Sequence, residues 1–348
     1  MIKVGILGAG GYAGAELVRL LLQRDDTQIV FLDSKDSEGI SYTDLYPHLN
    51  GKIDNLMTSM DISNNEYFQM IDILFCALPH GLTQQAVKSA FEKDLKIIDL
   101  SADFRLSDSS VYEKWYDTEH IAKEELKNAV YGLPEINRET IKKSRLIANP
   151  GCYPTSIILA LYPLLNEGYN PKNIIISDSK SGVSGAGRGL RDGNIYCQAA
   201  ENINPYAVGS HRHKPEIEEQ LTKIARSEVK IMFTPHLVPM QRGILSTIYV
   251  KNEYGVSQNK LEKIYLDYYK SEPFIRILTG GLLPKTKSVS GSNYCDISLK
   301  VDEDTNHIII MSAIDNLIKG ASGQAVQNMN IIMDIDETKG LLQEAIWP

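Results

Sequence analysis

Ile2-Lys3-Val4-Gly5-Ile6-Leu7 runs directly into Gly8-Ala9-Gly10-Gly11-Tyr12-Ala13-Gly14, and Leu17, Val18, Leu20, Leu21 and Leu22 follow at helical spacing, with Glu16 and Arg19 on the other face. An apolar strand, a glycine turn and an amphipathic helix in that order predict the opening unit of a parallel sheet. A dinucleotide site needs glycines in such a turn, because the backbone must bend sharply and approach a pyrophosphate that rests on the helix N-terminus. Gly8, Gly10, Gly11 and Gly14 supply the pattern, with Tyr12 and Ala13 opening the helix. A ligand-free glycine turn is the weaker reading, since the motif follows a strand and starts a helix.

The next apolar run, 28–32, ends in Asp33-Ser34-Lys35. An acidic residue at this point ordinarily binds a ribose 2′-hydroxyl, whereas a cation favours a 2′-phosphate. The loop offers both and leaves the choice open. Runs at 71–77, 95–100 and 146–148 continue the scheme, with helix-like stretches between several of them. They predict an α/β, Rossmann-type, doubly wound and mostly parallel sheet, covered on both faces. After Gly151 the strand candidates (173–179, 229–233, 243–251, 293–301 and 307–312) alternate more and are joined by fewer helices. This predicts a second α+β domain on a mixed or antiparallel sheet. Helical spacing resumes from Asp315 (Leu317, Ile318, Ala321, Ala325, Met329), and that helix is expected to return to the first domain. The expected organisation is therefore a dinucleotide-binding domain of residues 1–150 with 320–348. Residues 151–319 would form a catalytic, substrate-binding and oligomerisation domain, with the active site in the cleft between them.

Bulk properties narrow the function. The 348-residue chain carries a net charge of −8 and no basic stretch that could track a phosphate backbone, which argues against nucleic acid. Its 43% hydrophobic and 23% charged content is that of a soluble globular protein. No apolar run approaches the roughly 18 residues that span a bilayer. The start, MIKVGILGAGG, lacks a basic n-region and a cleavage site. Four cysteines (Cys76, Cys152, Cys197, Cys295) show no disulfide framework and no metal-ligand spacing. The expectation is a cytoplasmic protein with reduced thiols and no metal.

One thiol stands apart. Ala148-Asn149-Pro150-Gly151-Cys152-Tyr153-Pro154-Thr155 puts Cys152 beyond a strand, in a Pro/Gly turn, with a helical pattern (Ile157, Ile158, Leu159, Leu161) starting at once. A helix N-terminus stabilises thiolate through its dipole and free N–H groups. The same groups can form an oxyanion hole. An isolated cysteine is more often a buried structural residue, and Cys76, within Ile73-Leu74-Phe75-Cys76-Ala77, fits that description. The junction at Cys152 points instead to a nucleophile.

At this point the chain resembles the N-acetyl-gamma-glutamyl-phosphate reductases, relatives of aspartate-semialdehyde dehydrogenase and, more distantly, of phosphorylating aldehyde dehydrogenases. The resemblance covers essentially the whole chain. It rests on the opening glycine block, Pro47-His48-Leu49, Ala77-Leu78-Pro79-His80-Gly81, Asp99-Leu100-Ser101-Ala102-Asp103-Phe104-Arg105-Leu106, Tyr131-Gly132-Leu133-Pro134-Glu135 and the Cys152 turn. It continues through 179–188, His211-Arg212-His213-Lys214-Pro215-Glu216, Pro235-His236-Leu237-Val238-Pro239 and 320–328. The resemblance implies reduction of N-acetyl-glutamyl 5-phosphate to the 5-semialdehyde plus phosphate, in arginine biosynthesis. It makes Cys152 the catalytic nucleophile, through a thioester, and NADPH the reductant. The family commonly carries a small residue and then Ser-Arg after the second strand. Ser34 matches, Lys35 replaces the Arg, and Asp33 is acidic. Lysine still meets a 2′-phosphate as a point charge, so NADP(H) is the expected cofactor.

Such chemistry needs an acid/base near neutral pH, most naturally histidine. His213 and His211 are the candidates, on one side of the chain only if their segment is extended, with Pro215 suited to the first turn of a helix. Pro79, His80 and Ser101 are expected in the cofactor crevice, and Gln327 and Asn328 at the nicotinamide carboxamide, with a helix-surface role as the alternative. An anionic acyl-phosphate substrate calls for cations, and Arg105, Lys180, Arg188, Arg212 and Arg242 are candidates beside Asn149. Residues 182–189 offer an anion nest or a plain connector. Enzymes of this kind are ordinarily homodimers or homotetramers. The competing readings are the same reduction on an aminoadipate-type or aspartyl phosphate, or a non-catalytic nicotinamide-binding sensor.

Overall fold

The computed structural model describes residues 1–60 and 66–347. The chain divides into two compact units, Met1–Pro150 with Ala321–Leu342, and Gly151–Gly320 with Gln343–Pro348. Residue 320 and the last six residues thus group with the second unit, where the sequence reading kept 320–348 with the first.

The first unit is built on seven strands: β1 (Ile2–Leu7), β2 (Thr27–Asp33), β3 (Met57–Thr58), β4 (Ile73–Cys76), β5 (Lys96–Asp99), β6 (Ala129–Tyr131) and β7 (Leu146–Ala148). Their order is β3-β2-β1-β4-β5-β7-β6, and every described pairing is parallel. Strands β4 and β7 are buried throughout, as expected where helices cover both faces. The order reverses between β1 and β4, so ligands are expected at the ends of these two strands. Leu7 is in register with Asp33 on one side and Cys76 on the other. That register sets the glycine turn beside Asp33-Ser34 and Ala77. The helix Gly323–Ile332 belongs to this unit, and Ser322 Oγ donates to Ala13 O (2.7 Å). It is preceded by a wide π turn, Ile318–Ser322, rather than by the continuous α-helix that the spacing from Leu317 predicts.

The second unit holds β8 (Ile175–Gly182), β9 (Asn204–Pro205), β10 (Ile231–Val238), β11 (Ile244–Lys251), β12 (Ile275–Leu278), β13 (Cys295–Asp302) and β14 (His307–Ile314), in the order β12-β13-β14-β11-β8-β10-β9. Pairs β8/β10 and β12/β13 are parallel and the others antiparallel, so the sheet is mixed. Strand β10 runs past the expected end at 233 and through Pro235. The Pro235 carbonyl accepts from Tyr206 N–H (3.1 Å), so the missing proline N–H falls on the side of the two-residue edge strand β9, where a ladder bond is dispensable. His236, although flanked by Pro235 and Pro239, therefore lies on a strand.

Helix Cys152–Asn166 packs on the inner face of this sheet, where Ser156 Oγ donates to Ser246 Oγ (2.7 Å). It contains Pro163, which cannot donate to Leu159 O. Tyr269 Oη donates to that carbonyl instead (2.5 Å), and Tyr265 Oη to Ala160 O (2.6 Å). The helix that begins on Cys152 thus keeps its course through a proline.

Candidate active site

In the first unit, the glycine turn is shaped by close approach. Gly8 has φ +76°, and a Cβ there would collide with the Ala77 carbonyl. A Cβ on Gly14 would lie 2.7 Å from Gly8 O and Ala9 Cα, so the helix can start only because that atom is missing. Gly11 precedes helix Tyr12–Leu21, and no side chain caps its N-terminus. The first-turn N–H groups are thus left to an anion. Gly10 leaves room for Ser34, whose Oγ would be 2.7 Å from a Cβ at position 10. These are the features a pyrophosphate cradle requires.

The Asp33 carboxylate has a different task from the one its position suggests. It is only 6% exposed. Its carboxylate accepts from Met60 N–H (2.8 Å) and its main-chain carbonyl from Ala9 N–H (2.9 Å), while burial pushes the carboxyl pKa up. Asp33 is therefore tied to the glycine turn at Ala9, whereas Lys35, two residues on, is exposed.

At the end of β4, Pro79 and His80 are exposed. His80 Nδ1 accepts from Ala102 N–H (3.1 Å), and its ring meets Tyr116 edge-on at 5.1 Å. Beneath them lie two buried carboxylates. Asp103 accepts from Gly81 N–H (2.8 Å), Thr83 N–H (3.2 Å) and Tyr112 Oη (2.7 Å), which fixes the turn carrying His80. Asp99 accepts from Ser101 N–H (2.8 Å) and Ser101 Oγ (2.9 Å). Burial first and the neighbouring Asp103 charge second push Asp99 up to about 7. The Ser101 hydroxyl is therefore part of an internal turn.

Arg105 is buried and donates to the carbonyls of Asn149 and Leu100 (2.8 Å each). Asn149 Nδ2 donates to Ala321 O (3.0 Å), and Asn149 Oδ1 accepts from Asn328 Nδ2 (3.0 Å), which also donates to Gly132 O (2.9 Å). Gln327 donates to Glu337 (2.9 Å). Gln327 and Asn328 are fully buried and held from within the unit, so they do not lie on a helix surface.

In the second unit, Cys152 is the first residue of its 15-residue helix and is half-buried; Gly151 precedes it in extended conformation with no side-chain cap. All four cysteines are thiols rather than disulfides, and Cys76 lies in the core, where burial raises its pKa well above the ordinary value. Two contacts fix the Cys152 turn. Gly151 N–H donates to Glu216 Oε1 (2.9 Å). A Cβ at Gly320, in the π turn, would lie 2.8 Å from Cys152 Cβ, so the chain passes directly against the thiol-bearing residue.

Both candidate histidines are close by in the fold. Tyr153 meets the His211 ring at 5.5 Å and the His213 ring at 6.0 Å, both edge-on. The segment is not extended, because Arg212 is helical and a helix starts at His213. The two rings nevertheless approach to 4.9 Å, since His211 Nδ1 turns back to accept His213 N–H (3.0 Å). Tyr153, Tyr206, Phe233 and His213 box in His211. Burial, with a smaller contribution from Arg212, lowers its pKa to about 4. His211 is therefore neutral at pH 7, with its proton on Nε2.

The cations are dispersed. Lys180 pairs with Asp178 (3.0 Å) on the sheet face opposite buried Ser179, and so away from the Cys152 helix. Arg188 and Arg212 are exposed, and Arg242 faces buried Asp315 (3.6 Å). Within 182–189, the N–H groups of Gly182, Val183, Ser184 and Gly187 are bonded to carbonyls, which leaves those four amides out of any anion nest. Among the described residues, no group of three or more His, Cys, Asp or Glu is placed to hold a metal, and no helix is long and apolar enough to cross a membrane.

A first unit shaped for a dinucleotide, and a second whose first helix opens on a thiol, follow the plan of the semialdehyde dehydrogenases. Residues 3–144 match the model of the semialdehyde dehydrogenase NAD binding domain, and residues 152–316 that of the semialdehyde dehydrogenase dimerisation domain. Among solved structures, aspartate semialdehyde dehydrogenase II of Vibrio cholerae, complexed with ASA, shares the fold with TM-score 0.74 at 19% identity, over 96% of this chain and 98% of that one. The Candida albicans aspartate semialdehyde dehydrogenase, determined with NADP, has TM-score 0.72 at 18% identity, over 96% and 98%. Curated relatives are more specific. N-acetyl-gamma-glutamyl-phosphate reductases of Alkaliphilus metalliredigens (57% identity, 100% of both chains) and Pelotomaculum thermopropionicum (50%, 100% of this chain and 99% of that one) align end to end. The chain belongs to the N-acetyl-gamma-glutamyl-phosphate reductase family, and is an oxidoreductase with a nicotinamide-dinucleotide-binding unit.

Two contacts of the Cys152 turn, Glu216 on Gly151 and Gly320 on Cys152, had no role in the sequence reading. Glu216 was legible as the residue three after His213, hence on the same helix face. Gly320 carried no local signal, because its neighbour is 168 residues away in sequence.

Proposed function

We propose that the protein reduces N-acetyl-glutamyl 5-phosphate with NADPH to N-acetyl-glutamate 5-semialdehyde and phosphate, through a thioester on Cys152, as a step of cytoplasmic arginine biosynthesis. The observation that carries this reading is the placing of Cys152 as the opening residue of an uncapped helix, where thiolate and a developing oxyanion are both stabilised. The name shared by the full-length relatives supplies the substrate.

His213 takes the thiol proton as Cys152 attacks the acyl carbonyl, and passes it to the departing phosphate. The C–O bond to phosphate breaks and the thioester C–S bond forms. A bound dinucleotide, held by Gly8, Gly10, Gly11 and Gly14, would supply the hydride. Once the thioester has become a thiohemiacetal alkoxide, the C–S bond breaks, the aldehyde leaves, and the thiolate regains a proton through His213 from solvent. His211, held neutral and spent as an acceptor for the His213 N–H, is a positioning residue in this scheme. Arg105 acts on the Asn149 and Leu100 carbonyls, which leaves Arg188 and Arg212 as the exposed cations for the substrate's anionic groups.

NADP is favoured over NAD because Asp33 is buried beneath the glycine turn, so its carboxylate does not oppose a 2′-phosphate, and Lys35 is exposed to meet one. In this reading residues 1–150 and the C-terminal helix bind the dinucleotide, and the second unit carries catalysis and self-association. The outer face of its sheet presents Ile176, Met232 and Tyr249 to solvent, an apolar surface suited to pairing two copies.

The reverse reaction tests substrate and cofactor together. N-acetyl-glutamate 5-semialdehyde, phosphate and NADP should give rapid NADPH formation, the aspartate and aminoadipate semialdehydes little, and NAD a slower rate. Normal turnover by Cys152→Ser would refute the thioester.

A further inference from the structure

We infer that Glu216 is a positioning residue that sets the nucleophile turn and the His213 helix in one register, and that it does so as a hydrogen-bond acceptor rather than as a charge. The inference rests on the proposed roles of Cys152 and His213. Glu216 is 1% exposed, an unusual burial for a glutamate. Its Oε1 receives the N–H of Gly151, the residue immediately before Cys152, at 2.9 Å. Glu216 also sits in the first turn of helix His213–Ala225, three residues after His213 and so on the same face.

Position along the chain explains why this bond matters. Gly151 is the last residue before the helix, and its extended backbone (φ −69°, ψ 156°) aims the first helical N–H groups. Rotation of that one peptide swings Cys152 and the amides that would receive an oxyanion. The Gly151 carbonyl is held separately, by Thr155 N–H and Thr155 Oγ (2.9 Å each). The turn is therefore fixed on one side by its own helix and on the other by the helix that carries His213. Pro150 before it has no N–H to offer, and the bond to Glu216 joins the Cys152 turn to the His213 helix, beside the ring contact of Tyr153 with His213.

Two variants separate geometry from charge. Glu216→Gln keeps an acceptor oxygen at the same reach and loses the charge; Glu216→Asp keeps the charge and withdraws the oxygen by one methylene. The positioning role predicts that E216Q retains kcat within about threefold. It predicts that E216D loses ten- to a hundredfold in kcat with KM for both substrates nearly unchanged, as misplacement of a reacting group does. Thermal melting checks that each variant is folded. The inference is overturned if E216D is active and E216Q inactive, if both match the wild type, if both lose kcat alike, or if the change falls on KM. Cys152→Ser, assayed alongside, keeps the two readings distinct. An inactive C152S with an unaffected E216D removes only the role of Glu216, whereas an active C152S removes the nucleophile itself.

Discussion

Replacing Gly320 by alanine is the sharpest probe of how closely the thiol is held. In an ordinary helix interior, alanine is better than glycine by about 1 kcal/mol. Here the new methyl carbon would stand 2.8 Å from Cys152 Cβ, 3.2 Å from Cys152 Cα and 3.3 Å from Asp315 O. Carbon atoms pack at about 3.7 Å, so one partner must yield by roughly 0.9 Å. The π turn is poorly able to move, because Gly320 N–H is bonded to Asp315 O (2.9 Å). Asp315 in turn accepts from Gly291 N–H (2.7 Å) and Leu317 N–H (2.8 Å). The shift therefore falls on the first residue of the Cys152 helix.

Overpacking of this kind costs about 1–3 kcal/mol of stability. A displacement of about 1 Å at a reacting atom costs on the order of 100-fold in rate. Steady-state assay of G320A should show kcat down about 100-fold, dinucleotide affinity unchanged and a small fall in melting temperature. Alkylation of Cys152 should slow in step with kcat. A folded G320A with kcat within twofold of wild type would show that the packing of Gly320 on Cys152 does not set the nucleophile's position.

Other expectations follow from the charges. His211 has a folded pKa of about 4 against about 6.5 when unfolded. The unfolded chain therefore binds a proton the folded one does not, and the stability His211 contributes is intact above about pH 6.5 and lost as pH falls towards 4, by about 3 kcal/mol in all. His211→Asn should flatten the melting temperature between those pH values, and an unchanged slope would refute the burial argument. Asp99 lies the other way. Its folded pKa of about 7 exceeds the unfolded value, so its contribution is full below about pH 4 and lost as pH rises through 7. Asp99→Asn should therefore gain stability relative to wild type on going from pH 5.5 to 8.5; a difference that stays constant with pH would mean that Asp99 is ionised throughout. Lys35→Ala should raise KM for NADPH about tenfold and leave NADH within twofold, as expected when a charge-assisted phosphate contact is removed. Asp33→Asn should lower the melting temperature but leave the NADPH/NADH ratio near wild type, and a changed ratio would show that this carboxylate reaches the cofactor.

The fold was legible where burial leaves a periodic mark. Strands β1 and β7 were read to the residue, because each closes on buried apolar residues with a glycine or proline one or two positions beyond. Strands β3, β6, β9 and β12 were missed because two to four residues carry little period, whereas three-residue β7 is marked by the Pro/Gly turn that follows it. Strand β10 was cut short at Thr234-Pro235, since proline normally marks the end of a strand. Only the sheet order, with the short edge strand β9 beside it, shows that the missing N–H is harmless there. The π turn at 318–322 was read as α-helix because a single wide turn barely shifts the hydrophobic spacing.

The site was legible in kind and illegible in arrangement, and Asp33 and His211 show why. A sequence gives Asp33 as an acid next to a lysine, and the two arguments about a 2′-phosphate cancel. What separates them is depth: one side chain is folded under the glycine turn and bonded to Met60 N–H, and the other is in water. His211 and His213 are likewise equivalent by spacing. Burial in an aromatic box, with the ring nitrogen already accepting a backbone N–H, removes His211 from proton transfer at neutral pH. In both pairs the residue withdrawn from chemistry is the one holding backbone in place. Lys35, by contrast, is exposed, and His213 stands at the start of its helix with its N–H given to His211. A buried polar group must satisfy its hydrogen bonds inside the protein, so the bonds that Asp33 and His211 accept from backbone N–H groups, which no spacing in the sequence reveals, are what separates each from its neighbour.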